Sequence, residues 1–186
     1  MMGLTYTHLM IAVVVPATLL ACWIDYSARK VPNWLNAALA AAGIVAQTAY
    51  FGTSGLWSSL LGIAVGLGVL IIPWAMHGMG AGDVKLMAAI GAWFGPAMCF
   101  AAFAVGAIIG GVISVVMITV ARKWAYATVN MGTILTKISR KDTAFSDFGS
   151  AKGFGATSSL LPYGIPLSIG AWLVLLGTTT GWWRVT

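Results

Sequence analysis

The sequence predicts an all-α membrane protein built as one bundle of six transmembrane helices. Of its 186 residues, 60% are hydrophobic and only 8% are charged, whereas a soluble domain carries about 25% charged residues. The apolar residues fall into runs long enough to cross a bilayer, which takes about 20 residues for each helix. We therefore expect a single transmembrane domain over residues 1–186, with no separate soluble domain.

The first half of the chain contains three apolar runs that are each expected to span the membrane, at about 9–24, 34–51 and 56–75. No lysine or arginine precedes Arg29. A secretory signal needs positive charge ahead of its apolar core, so the first run is expected to be an uncleaved helix. Pro32 ends that helix, Asn33 can cap the next one, and residues 52–55 form an external turn.

The second half is expected to contribute three more spans, at about 84–97, 98–121 and 161–181. Residues 84–121 are too long an apolar run for one span, and Gly95-Pro96 is the expected break. The piece from Val84 to Phe94 would rise only about 17 Å as a helix, against a bilayer core of about 30 Å. We therefore expect Asp83 to be drawn below the inner surface, or the bilayer to thin there.

The basic residues predict the orientation of the bundle. Six spans place both termini outside and the basic segment 122–160, between the fifth and sixth helices, in the cytoplasm. Nine of the ten lysines and arginines then lie on the inner side, and Arg184 is the exception. In so apolar a chain, the net charge of +6 indicates contact with anionic membrane lipids and not with nucleic acid. The expected location is the inner membrane, as a multi-pass protein.

Acidic residues are scarce: the chain has four, Asp25, Asp83, Asp142 and Asp147, and no glutamate. The predicted topology puts Asp25 and Asp83 at the same inner end of the bundle, each beside an apolar span. A carboxylate is costly in a bilayer, and one that is kept there usually has a function. Cys22 has no partner at metal-ligand spacing, so we expect no metal site and no cofactor.

Two carboxyl groups that share a site cannot both ionise cheaply, so near neutral pH one is an anion and the other an acid. Such a pair can activate a water and protonate an amide oxygen, which is the chemistry of aspartic proteases. Structural roles remain open from the residues alone. Asp83 can cap the helix that follows it, and Asp25 can pair with Arg29 one turn later.

Three motifs resemble those of the prepilin peptidase family. Gly80-Ala81-Gly82-Asp83, followed by Val84-Lys85, resembles the family's GxGD motif with its downstream lysine. Ile24-Asp25, with Arg29 to Asn33 after it, is similar to the first aspartate motif. Pro162-Tyr163-Gly164 resembles the proline-glycine motif that opens the last span. The motifs occur in the family's order and extend over nearly the whole chain.

The resemblance implies a six-helix membrane aspartic endopeptidase whose catalytic residues are Asp25 and Asp83. Its substrate would be a prepilin-like precursor of a type IV pilus, with a short basic leader on the cytoplasmic side. Because the sequence lacks the paired CxxC motifs of larger members, it resembles the compact Tad/Flp-type members, which cleave without N-methylation. The sequence does not indicate an oligomeric state. The competing hypothesis is a non-enzymatic membrane subunit, or a proton or cation carrier, that uses the same aspartates.

The resemblance also assigns residues around the pair. Gly80, Gly82 and Lys85 would belong to the active-site loop, and Pro162, Tyr163 and Gly164 would form a wall of the site. Lys85 has two interpretations: its ammonium reaches the inner headgroups, or it tunes the charge of the aspartates.

Overall fold

The computed structural model describes residues 2–28, 31–75, 79–120 and 163–180. Those residues form four α-helices and no strand: α1 (Met2–Ala28), α2 (Asn33–Ala75), α3 (Ala81–Val120) and α4 (Gly164–Thr179). The predicted all-α fold class is confirmed. The predicted loop at 122–160 lies outside the described residues, so its structure stays a prediction.

Helix α2 reverses its direction at Gly52, where the backbone leaves the helical region with φ 63° and ψ −140°. Gln47 and Ser59 stand on either side of this residue, and on a straight helix they would be about 18 Å apart. Instead they donate hydrogen bonds to adjacent carbonyls of α3, those of Trp93 and Ala92. The two halves of α2 therefore run in opposite directions, and the reversal falls where the sequence predicts an external turn.

Helix α3 reverses in the same way at Gly95, where φ is 71° and ψ is 178°. Only glycine adopts this conformation without strain. Cys99 Sγ lies 3.9 Å from the carbonyl oxygen of Met87, although a straight helix would separate the two residues by about 18 Å. The chain therefore folds back between Phe94 and Pro96, at the predicted break, and the first half of α3 is short.

The carbonyl groups at this reversal are bonded by polar side chains from other helices. Pro96 has no N–H to donate to the carbonyl of Ala92, and Ser59 Oγ donates to it instead at 2.9 Å. The carbonyl of Trp93 accepts from Tyr6 Oη at 2.6 Å and from Gln47 Nε2 at 3.0 Å. An irregular backbone is tolerated at membrane depth only where its polar groups are satisfied inside the protein, and these three side chains meet that requirement.

Replacing Ser59 with alanine is expected to destabilise the protein by about 1–3 kcal/mol, because it leaves the buried carbonyl of Ala92 without its donor. Ser54 is the matched control, since its hydroxyl bonds within its own turn and is exposed. We expect Ser54→Ala to change stability by less than about 0.5 kcal/mol. Denaturant unfolding in detergent measures both variants, and equal stabilities would contradict the assignment.

Helix α3 lies at the centre of the bundle, packed against both α2 and α4, while α1 packs chiefly against α4. The second half of α2 meets the first half of α3 at Gly62 and Gly91, where the backbones approach so closely that neither position has room for a Cβ. Small residues permit such contacts between helices in lipid. Tyr6, near the start of α1, contacts α3 beside the reversal at Gly95. The other end of α1 therefore lies beside the start of α3.

Three helices contain segments long and apolar enough to cross a membrane: Tyr6–Ser27, Asn33–Ile71 and Ala81–Val120. Gly164–Thr179 is a shorter apolar helix. These findings support a membrane protein. The number of crossings and the side on which each terminus lies stay predictions. The first helix extends beyond the predicted 9–24 at both ends, because the polar residues that flank the apolar run also continue the helix.

Candidate active site

The two aspartates lie at opposite ends of their helices, one at a C-terminal end and the other at an N-terminal end. Asp25 lies in the last turn of α1 and Asp83 in the first turn of α3. Because these helices run in opposite directions, the end of one meets the start of the other. Each aspartate is only 7% exposed, which is rare for a carboxyl group unless it is paired. The structure therefore places both predicted residues in one buried region.

The carboxyl groups converge on Gly164, the first residue of α4. A methyl group at Gly164 would lie 3.2 Å from Asp25 Oδ2 and 3.3 Å from Asp83 Oδ1. Since both distances start from one point, the two oxygens are at most about 6.5 Å apart. A water with hydrogen bonds of about 2.8 Å can join two oxygens that are up to about 5.6 Å apart, and separations of that size lie within the limit. The geometry is therefore compatible with a water shared by the pair.

The two aspartates differ in the hydrogen bonds that their carboxyl oxygens make within the described residues. Asp25 Oδ2 is buried and has no hydrogen-bond partner there. The Asp83 carboxylate accepts a hydrogen bond from the backbone N–H of Gly80, the residue directly before α3, so the capping role considered for Asp83 stays open. Its place in the first turn still suits the dipole of the helix. The proposed partner of Asp25, Arg29, lies outside the described residues.

The glycine segment before Asp83 gives its side chain room. The backbone N–H of Asp83 donates to the carbonyl of Gly80 at 3.1 Å, and a methyl at Gly80 would lie 3.4 Å from Asp83 Oδ2. Gly82 packs against Val31, two residues before α2: a methyl at Gly82 would lie 3.3 Å from both the nitrogen and the Cβ of Val31. Because these two glycines have no side chain, the loop can pass close to the Asp83 carboxylate and to the backbone of Val31.

Lys85 is bonded away from the aspartates. Its Nζ donates to Asn33 Oδ1 at 2.9 Å, at an exposed position. This bond joins the start of α3 to the start of α2. The contact gives Lys85 a structural partner that the sequence did not indicate. Both interpretations of its ammonium, contact with the headgroups and electrostatic tuning of the aspartates, stay predictions.

A ladder of polar contacts holds α4 against α1. Trp172 Nε1 donates to Thr18 Oγ1 at 2.8 Å, and Cys22 Sγ lies 3.2 Å from Ser168 Oγ. The next step, about one turn further along both helices, is the contact between Asp25 and Gly164. Part-buried contacts at one-turn spacing fix the register of the two helices, so this ladder sets Gly164 at the level of the carboxyl groups.

The other residues predicted for the wall are placed only in part. Tyr163 precedes α4 at its N-cap position, makes no side-chain capping hydrogen bond and is partly buried. Pro162 lies outside the described residues. Of the predicted wall, the structure brings Gly164 into contact with the carboxyl groups.

Asn36 is a site residue that the sequence analysis missed. Its side chain is 4% exposed, and its Nδ2 donates to the carbonyl of Gly82 at 3.3 Å, directly before Asp83. The available signal was an amide side chain within an apolar run, one turn after Asn33. Among the described residues, no group of three or more His, Cys, Asp or Glu side chains is arranged to hold a metal ion.

Comparison with known protein families finds a match. The model of the type IV leader peptidase family matches residues 12–115, which is more than half of the chain and includes Asp25, Asn36 and Asp83. No curated protein matches, and no solved structure matches.

Proposed function

Because this chain belongs to the type IV leader peptidase family, we propose that it is an aspartic endopeptidase that removes the leader of prepilin-like precursors. The family shows a membrane peptidase, and it implies a prepilin-like substrate. The finer proposal is that the short basic leader is cut at the cytoplasmic face of the inner membrane. One observation carries the aspartic mechanism: the carboxyl oxygens of Asp25 and Asp83, two residues within the matched range 12–115, both approach Gly164.

In the proposed mechanism the pair holds one proton and one water. The ionised carboxylate takes a proton from the water, whose oxygen forms a bond to the scissile carbonyl carbon, while the protonated carboxyl gives its proton to the carbonyl oxygen. As the tetrahedral intermediate collapses and the C–N bond breaks, the carboxyl that took the proton from water gives it to the leaving nitrogen. The other carboxylate takes back a proton from a hydroxyl of the intermediate, which restores the starting state of the pair. Since the titration belongs to the pair, neither Asp25 nor Asp83 is assigned as base or acid.

We also propose cleavage without N-methylation, as in the compact Tad/Flp-type members. The sequence has only two cysteines, Cys22 and Cys99, and no CxxC motif. Both cysteines lie in helices of the described bundle, and both are free. The paired CxxC motifs that accompany methylation in larger members are therefore missing from this sequence.

The six predicted crossings are supported by the two chain reversals. Gly52 and Gly95 divide α2 and α3 into two antiparallel halves each, which gives six helical segments in the described part of the chain. Both reversals lie at the end of the bundle opposite Asp25. The proposed topology puts that end outside and the basic residues inside, in contact with anionic lipid. A reporter active only outside the cytoplasm, fused after Ser54, should be active, and an inactive fusion would overturn this orientation.

The proposed activity is tested by reconstituting the purified protein in liposomes with a prepilin-like precursor. We expect a shortened product with a single new N-terminus, seen by mass spectrometry, and no added methyl group when S-adenosylmethionine is supplied. Empty liposomes are the control. An intact precursor after prolonged incubation would overturn the proposal, and proton flux in the same liposomes would instead support the carrier hypothesis.

A further inference from the structure

Only one of the two polar atoms of the Asn36 amide makes a hydrogen bond within the described residues. Its Nδ2 donates to the carbonyl oxygen of Gly82 at 3.3 Å, while its buried Oδ1 has no partner in the described structure. The orientation of the amide is set by its neighbour, because a turned amide would bring its oxygen against the carbonyl oxygen of Gly82. The atom without a partner is therefore the amide oxygen, a hydrogen-bond acceptor.

The bond from Asn36 acts on the peptide directly before Asp83. On another side, Gly82 faces Val31: a Cβ at Gly82 would lie 3.3 Å from the backbone nitrogen and from the Cβ of Val31. The Asp83 carboxylate is itself hydrogen-bonded to the backbone N–H of Gly80, within its own loop. The carboxylate is thus positioned by its backbone, and that backbone is held by the start of α2.

We propose that Asn36 is a positioning residue, which fixes Asp83 at the distance from Asp25 that a shared water requires. The inference rests on the proposed peptidase function and names a residue that this function does not assign. A second bond, from Lys85 Nζ to Asn33 Oδ1, joins the same two helix starts nearby. The Asn33–Asn36 turn of α2 therefore holds the first turn of α3 at two points.

A purely structural role accounts poorly for the amide. A buried acceptor without a partner costs about 1–3 kcal/mol, whereas an apolar side chain of similar shape avoids that cost. Only two buried side-chain oxygens or nitrogens in the described residues have no partner, Asp25 Oδ2 and Asn36 Oδ1. Both lie beside the Gly82–Asp83 segment.

Gln47 provides a matched control. Like Asn36, it lies on the first half of α2, is 4% exposed, and donates an amide hydrogen bond to a carbonyl of α3. Its acceptor is Trp93, at the end of the bundle opposite the aspartates. Asn36→Leu and Gln47→Leu therefore each remove one interhelical hydrogen bond, and they differ in whether that bond lies at the site.

The test compares leader cleavage by the two leucine variants in liposomes. We expect Asn36→Leu to lower kcat about 10- to 100-fold with KM nearly unchanged, since small misplacements of a catalytic group cost up to about 100-fold. Gln47→Leu should keep kcat within about 2-fold of the wild type, because a packing position remote from the site contributes little to the transition state. Equal kcat values for the two variants would overturn the inference.

A second variant covers the case in which Asn36→Leu fails to fold. Asn36→Gln keeps the amide but displaces it by one methylene, so we expect a lower kcat than the wild type and a higher one than the leucine variant. An unchanged kcat would overturn the positioning role. If the wild type itself releases no leader, the proposed peptidase function is wrong and the role of Asn36 falls with it.

Discussion

Replacing Asp83 with asparagine is expected to abolish leader cleavage while the helix bundle stays folded. Asparagine has nearly the same shape, but its amide cannot take a proton from water or return one to the substrate. Loss of one acid–base group typically costs about 10²–10⁴ in rate. The carboxyl group of Asp83 is only 7% exposed, and burying an ionisable group is costly. Replacing it with a neutral amide should therefore not destabilise the fold.

The measurement is the single-turnover rate of leader release, together with the unfolding midpoint of each variant. Asp25→Asn should lose as much activity, and the double variant should lose little more than either single one, because residues that act as a unit are not additive. Asp142→Asn and Asp147→Asn are matched controls in the basic segment, and both should cleave normally. Normal cleavage by Asp83→Asn would remove the proposed mechanism.

The reversals of the chain could be predicted from the sequence because glycine and proline act locally. Gly95-Pro96 interrupts an apolar run that is too long for one span, and the structure reverses at Gly95 with a positive φ. Gly52 lies in the expected external turn and also has a positive φ. The shared end of Asp25 and Asp83 followed from charge distribution alone, since one topology satisfied all the basic clusters.

The contacts that position the carboxyl groups could not be predicted in this way. The bond from Asn36 to Gly82 joins residues 46 positions apart, and it depends on the register of α2 against α3. Periodicity gives the face of a helix but not its register against a neighbour. The bond from Lys85 to Asn33 was missed for the same reason, because it joins two helix starts separated by a reversal.

The role of Gly164 was only partly visible in the sequence. The family motif suggested a wall of the site, whereas a residue without a side chain gives no indication of what it touches. In the structure its importance comes from the space that it leaves: a carboxyl oxygen of each aspartate lies within 3.3 Å of the position that a Cβ would take here.

Gly164→Ala is expected to lower the cleavage rate about 10- to 100-fold without destabilising the protein. The added methyl would lie 3.2 Å from Asp25 Oδ2 and 3.3 Å from Asp83 Oδ1, so the carboxyl groups must move apart by a few tenths of an ångström. The methyl also competes with a shared water for the space around those oxygens. In a helix, alanine is favoured over glycine by about 1 kcal/mol, which offsets the cost of that movement.

Gly177→Ala is the matched control on the same helix, because a methyl there would meet no atom within 4 Å. Both alanine variants should unfold at or slightly above the wild-type denaturant concentration, and only Gly164→Ala should lose activity. Gly164→Val should lose more activity than Gly164→Ala, since it fills more of the same space. If Gly164→Ala cleaves as fast as Gly177→Ala, the carboxyl groups do not react from the positions described, and the shared water must lie on the side of the pair away from α4.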